Sequence, residues 1–171
     1  MNKLDKLNKF NKVIAIDPGF DRVGVAILEQ DKDKSALLFS ECITTNPKET
    51  RDKRLLVIGS RLDEIIKEWR PRSLAIETLF FNTNITSAIG VAEARGVIIF
   101  QAARAGLPVY EYSPQAIKIA VTGYGKADKI QIESMVKKLI TLPKSPLKRL
   151  DDEIDAIAVG ITHLATQKNR N

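Results

Sequence analysis

VIAID, residues 13–17, runs into Pro18-Gly19 and is followed by RVGVAILE, residues 22–29. The first run is short, β-branched and apolar without alternation, which is the pattern of a strand buried on both faces. Pro-Gly ends it in a tight turn, and the second run resumes β character, so the pair reads as a hairpin. Moving outward, DKDK (31–34) is a charged turn and ALLFSECITT (36–45) a third strand. Three strands with short connections imply an antiparallel meander.

Beyond residue 50 the period changes. Leu55, Ile58, Leu62, Ile65, Ile66 and Trp69 share one helical face, with Thr50 as a helix start and Pro71 as a stop. SLAIE (73–77) is a fourth strand, buried on both faces by composition. A long helix from about Thr86 to Ala105 closes on Gly106 and Pro108, and Val109 to Tyr112 is a short fifth strand. Ser113-Pro114 opens a helix that Gly123 ends, and Asp128 with Gln131 forms a capping box for the next. After a basic, turn-rich loop at Pro143 to Arg149, the last helix buries Leu150, Ile154, Ile157, Ala158, Ile161 and Leu164. The order βββαβαβααα is α/β. Its strand-helix-strand units need parallel crossovers, so the five-stranded sheet is mixed, a meander plus parallel strands, flanked by helices.

The acids carry the chemistry. Asp17 ends an apolar strand at the carboxyl edge of the sheet, where open α/β sheets bind ligands, although an acid before Pro-Gly also simply initiates turns. Glu77 ends a second apolar strand in the same way. A lone buried charge there is costly unless it is paired or holds metal. With the first and fourth strands adjacent and parallel, both carboxylates would emerge at one edge, and a divalent cation would remove their repulsion. DDEID (151–155) opens the last helix. Acids favour helix N-termini in any case, yet Asp155 lies close to the apolar face. Asp152 and Asp155 (i, i+3), or Asp151 and Asp155 (i, i+4), can project together. Carboxylates without Cys ligands select hard cations, Mg²⁺ or also Mn²⁺, suited to in-line attack of water on a phosphodiester.

Composition agrees with that chemistry. The chain has 171 residues, enough for one domain, and 27 Lys plus Arg against 21 Asp plus Glu give a net charge of +6, which favours a polyanionic partner. Cys42 is the only cysteine, so an intrachain disulfide and a Cys-based metal site are excluded. No apolar run of membrane-span length and no signal-peptide core occur, so the expectation is a cytoplasmic protein with no membrane association. NKLDKLNKFNKV places Lys at 3, 6, 9 and 12. Residues 1–12 read as a flexible basic arm, and 13–168 as a single domain.

Four segments resemble the RuvC-type Holliday junction resolvases of the ribonuclease H-like superfamily: IAIDPGFDRVGVAI (14–27), AIETLFFNTNITSAIGVAEARGVII (75–99), EYSPQAIKIAVTGYGKADKIQIESMV (111–136) and DDEIDAIAVGITH (151–163). The resemblance implies a ribonuclease H-like fold and a homodimer that grips branched DNA, a four-way junction, and nicks two strands symmetrically. It implies a catalytic, Mg²⁺-binding set of Asp17, Glu77, Asp152 and Asp155, its DxxD spacing favouring Asp152 over Asp151. Phe80, paired with Phe81, matches an aromatic that unstacks bases at the crossover, and an exposed aromatic near a cleavage site is a stacking platform. Lys118 and Lys129 fall where the family has basic residues near the scissile phosphate, and Lys126 adds charge to the GYGKADK loop. A branch-migration motor is a candidate partner. Arg95 is read as a brace for the dimer or the sheet, and His163, about two turns beyond Asp155, as structural.

Thr78 stands where the family commonly has Gln, and the second strand carries less glycine than usual, departures that bear on substrate preference. Alternatives are a nuclease of the same fold acting on another DNA or RNA substrate, or a non-catalytic DNA-binding module. A nucleotide-binding phosphotransfer fold of the actin or hexokinase type is excluded, because it needs a second domain and further glycine-rich loops.

Overall fold

Strand β1 (Asn11–Asp17) begins two residues before the apolar run and ends on the acid, as its pattern requires. The computed structural model describes residues 11–31, 34–79, 85–142 and 150–168. Residues 1–10 of the arm read as 1–12, Phe80 and Phe81, and the basic loop at 143–149 lie outside them, while Asn11 and Lys12 of that arm open β1. After β1 come β2 (Arg22–Asp31), β3 (Lys34–Thr44), α1 (Arg51–Trp69), β4 (Ser73–Glu77), α2 (Ile85–Arg104), β5 (Val109–Tyr112), α3 (Pro114–Thr122), α4 (Lys129–Leu139) and α5 (Asp151–Lys168). The sheet order is β3-β2-β1-β4-β5, with β1–β2 and β2–β3 antiparallel and β1–β4 and β4–β5 parallel. The expected mixed α/β sheet is present.

Period-2 alternation divides the core. Ile14, Ile16, Val25, Ile27, Leu74 and Ile76 face α1 and α2, while Val13, Ala15, Ala26, Leu28 and Ala75 face α3, α4 and α5. Asp17 and Glu77 continue the second set, so they open on the side of α5. Capping follows the sequence closely. Ser113 Oγ accepts from Ala116 N–H at 3.1 Å, Gly123 closes α3 in the left-handed region, and Asp128 with Gln131 completes its capping box. Thr50 occupies the start of α1 without a side-chain cap bond. Leu150 is a correction: it precedes α5 and is 44 % exposed, because the apolar stripe of that helix begins only at Ile154.

Helix α5 lies unusually close to the sheet. A Cβ on Gly24 would stand 1.9 Å from the Asp152 carbonyl oxygen, and one on Gly160 would stand 2.4 Å from Leu28. His163 secures the far end of the same helix, as its structural reading expects. Its Nε2 lies 3.0 Å from Ser73 Oγ on β4, and its Nδ1 lies 2.9 Å from the Tyr112 hydroxyl on β5. One ring nitrogen donates and the other accepts, which a neutral imidazole satisfies fully. Burial pushes its pKa down to about 4. His163→Ala is therefore expected to cost about 2–4 kcal/mol at pH 8, from a cavity and the loss of two side-chain hydrogen bonds. The unfolded imidazole takes up its proton near pH 6.5 and the folded one only near 4. Its stabilising contribution is complete above 6.5 and is lost as pH falls through that window, so urea titrations of parent and variant should converge toward pH 4.

Candidate active site

One rung of the sheet assembles the site. Asp17 on β1 is paired with Gly24 on β2, and Gly24 with Cys42 on β3. On the other edge Ile16 pairs with Ile76, which sets Asp17 and Glu77 side by side at the next step, and Glu77 pairs with Tyr112 on β5. Paired residues point to the same face, so this row looks toward α5. Its first turn carries Asp152 and Asp155, and the bare backbone at Gly24 lets that turn descend onto the rung.

The electrostatics show four acids sharing one space. Burial, then Asp155, Glu77 and Asp152 in turn, push the Asp17 carboxyl up to about 7. Burial and Asp155 push Glu77 up to about 7, with Lys118 opposing. Asp155 is raised by burial, with Lys129 pulling the other way from 3.6 Å. Asp152 is half-buried and contributes to this field, whereas Asp151 is exposed on the outer side of the turn. Asp152 Oδ2 is shielded from solvent and accepts no hydrogen bond, although Arg22 Nε stands 3.3 Å away. Among the described residues no group of three acids is closed to the spacing of a finished metal cage. The residues nevertheless fit a hard divalent ion: the donors are all carboxylate oxygens, burial and neighbouring acids raise Asp17 and Glu77, and the buried Asp152 Oδ2 accepts no hydrogen bond and has only the loose Arg22 contact at 3.3 Å.

Burial of these neighbouring acids has a measurable consequence. Asp17 and Glu77 ordinarily titrate at 3.8 and 4.5, and both rise to about 7 in the fold. The folded chain therefore binds more protons than the unfolded chain between those values, and the stabilisation they supply is lost as pH rises through 7. His163 acts in the opposite sense, so the comparison that isolates the acids is parent against Asp17→Asn. In EDTA at pH 8 the variant should be more stable by about 1–3 kcal/mol, and the gap should shrink at pH 5 or when a divalent ion is added. Urea denaturation at the two pH values measures both.

A cleft of about 370 Å³ borders the rung, lined by Glu77, Asp155, Lys118, Lys129, Ala127 and Ile132. Lys118 and Lys129 thus line the same cleft as Glu77 and Asp155. Lys126 is exposed on the loop between α3 and α4 and does not line this cleft. Arg95 braces the sheet, pairing with Glu111 on β5. Three contributors escaped the sequence reading. Glu153 looks like one more acid of DDEID, yet it accepts from Ser40 Oγ at 2.6 Å and from Leu150 N–H at 3.1 Å, tying the first turn of α5 to β3. Its spacing of three from Leu150 is the only signal that could have revealed the cap. Arg54, buried on α1, holds the turn after Asp17 through Thr45 Oγ1, the Phe20 carbonyl, the Asp21 carboxylate and the Phe20 ring face. Arg22 is the third, and nothing in its local sequence distinguishes it.

A sequence profile described as crossover junction endodeoxyribonuclease RuvC matches residues 13–163. The chain belongs to the RuvC family. Its RuvC relative in Ruminiclostridium cellulolyticum is 40% identical over 151 residues, covering 88% of this chain and 90% of the relative. That of Thermosipho melanesiensis is 43% identical over 87% of this chain and 94% of its own length. Thermus thermophilus RuvC, solved in complex with a Holliday junction substrate, superposes with a TM-score of 0.85 at 32% identity, covering 92% of this chain and 95% of that one. A yeast mitochondrial Holliday junction resolvase shares the fold at 14% identity with a TM-score of 0.66. Family membership makes this chain a nuclease of a group that uses divalent metal.

Proposed function

We propose that this chain is a structure-selective endodeoxyribonuclease that resolves four-way DNA junctions by paired symmetric nicks, through metal-assisted phosphodiester hydrolysis. The observation that carries the reading is the rung holding Asp17 beside Glu77, with Asp152 and Asp155 lowered onto it next to a cleft that contains Lys118 and Lys129. Asp17, Glu77, Asp152 and Asp155 are the residues that would hold Mg²⁺, or Mn²⁺ in its place. Such ions activate water and neutralise charge on the leaving 3′ oxygen. The chain's own contribution is to keep four carboxylates pre-assembled at a sheet edge. Lys118 and Lys129, with Lys126 further out, attract the phosphate backbone that those acids would otherwise repel. Phe80 and Phe81 are assigned to base stacking at the crossover on their sequence position.

Two further assignments complete the proposal. Ile89 and Phe100 on α2 and Leu56 and Val57 on α1 are exposed apolar residues, and they support a homodimer. Sedimentation equilibrium should then give twice the 19.0 kDa chain mass. A branch-migration motor is proposed as partner on the family resemblance, with DNA in the cytoplasm as the place of action. Among the described residues no helix is long and apolar enough to cross a membrane. The deciding experiment incubates the protein with a synthetic mobile junction, a matched linear duplex and an RNA–DNA hybrid, with and without Mg²⁺. Paired nicks in the junction alone, dependent on Mg²⁺, are the expected result. Equal cutting of the linear duplex or the hybrid would replace the substrate assignment, and no cutting of any would leave a binding module.

A further inference from the structure

Arg22 opens β2 two residues before Gly24, so it shares the face onto which α5 descends. Its Nε lies 3.3 Å from Asp152 Oδ2, while that oxygen takes part in no hydrogen bond. The two groups are neighbours in charge without being clamped. Asp152 is also the only ion-pair partner of Arg22 among the described residues, and the arginine side chain is 54 % exposed.

Other arginines of the fold behave differently. Arg61 grips Glu41 with two nitrogens at 2.7 Å each and reaches Glu64 as well. Arg54 is buried under three oxygen partners and a ring. Those guanidinium groups are spent on holding elements together. Arg22 is held by a single loose contact, at the edge of a site built for a phosphodiester. Lys129 stands in the same relation to Asp155, exposed and at 3.6 Å. Asp152 and Asp155 on α5 therefore each face one exposed cation.

We infer that Arg22 is a phosphate-binding residue for the DNA strand entering the site, and that it serves as the counter-ion of Asp152 until a divalent cation replaces it. A planar guanidinium offers a fork of donors matched to phosphate, and a loosely held one reorients without breaking a structural bond. A divalent ion at Asp152 would repel the arginine toward the nearest anion, which in the complex is the DNA backbone. This inference rests on the nuclease reading, and its test separates the two.

With Ca²⁺ as the divalent ion, under conditions where no cleavage product forms, binding of a labelled four-way junction to parent, Arg22→Gln and Arg22→Lys is followed by anisotropy between 50 and 200 mM salt. Loss of one phosphate contact should weaken Arg22→Gln about 3- to 10-fold and flatten the plot of log K against log salt by about 0.9, with Arg22→Lys retaining the parental slope. Separately, Mn²⁺ binding to the DNA-free proteins is read by electron paramagnetic resonance. Arg22→Gln should bind the ion more tightly, by about 2- to 5-fold, because a competing positive charge has gone. An unchanged slope, or Mn²⁺ binding equal to or weaker than the parent, would overturn the inference. Thermal melting confirms that the exposed substitution leaves the fold intact. A parent protein that fails to bind junctions at all would instead overturn the function proposed above.

Discussion

Asp17→Asn is expected to lower junction cleavage by about 10³-fold or more, the scale of removing a preorganised charge from a reacting centre, while junction binding stays as tight or becomes tighter. Asp17 sits in the middle of the rung, and its carboxyl is perturbed by all three other acids at once. On the proposed function, replacing it removes a carboxylate that the others cannot substitute for, because Glu77 is fixed one strand away and Asp152 and Asp155 are fixed on α5. The same change removes a negative charge from a surface that must approach phosphate, so binding gains what catalysis loses. The amide is isosteric and the metal-free variant is expected to be more stable, so lost activity cannot be attributed to unfolding. Single-turnover cleavage and anisotropy on one preparation read the two effects, and nicking at the parental rate would remove Asp17 from the mechanism.

Gly24→Ala should be almost as damaging, although residue 24 carries no chemistry. The added methyl would meet the Asp152 carbonyl carbon at 2.5 Å and its oxygen at 1.9 Å, both backbone atoms that have no rotamer to escape into. Relief requires the first turn of α5 to rise from the sheet, carrying Asp152 and Asp155 with it. A displacement of about 1 Å in a reacting constellation costs on the order of 100-fold in rate. Overpacking should cost about 1–3 kcal/mol in stability. Comparing cleavage well below the melting temperature separates misplacement from unfolding. A variant that melts lower but cleaves at the parental rate would show that the approach of α5 over Gly24 matters for stability alone. Serine, barely larger, should behave as alanine does.

Much of the molecule follows from local pattern. The apolar runs at 13–17 and 73–77 had to be buried strands ending in acids, the 3.6-residue stripes had to be helices, and Ser113, Asp128 and Gln131 capped where their chemistry requires. Each is a contest between neighbours in the chain, so the sequence decides it alone. The same pattern offered Asp17, Glu77 and Asp155 with either Asp151 or Asp152, and the family resemblance chose Asp152. That they share one electrostatic space was conditional on β1 and β4 lying together, which the meander made possible by occupying only one edge of β1. Tertiary structure decided the rest. Register put Asp17 and Glu77 on the same rung, and a side chain missing at Gly24 let α5 reach it. It separated Asp152 from Asp151 by exposure, turned Glu153 from an apparent fourth acid of its cluster into a helix anchor, and brought Arg22 to Asp152 across 130 positions of sequence. Such contacts depend on how far a helix stands from a sheet and which strand lies next to which, quantities set by packing of the whole core and carried by no local window of residues.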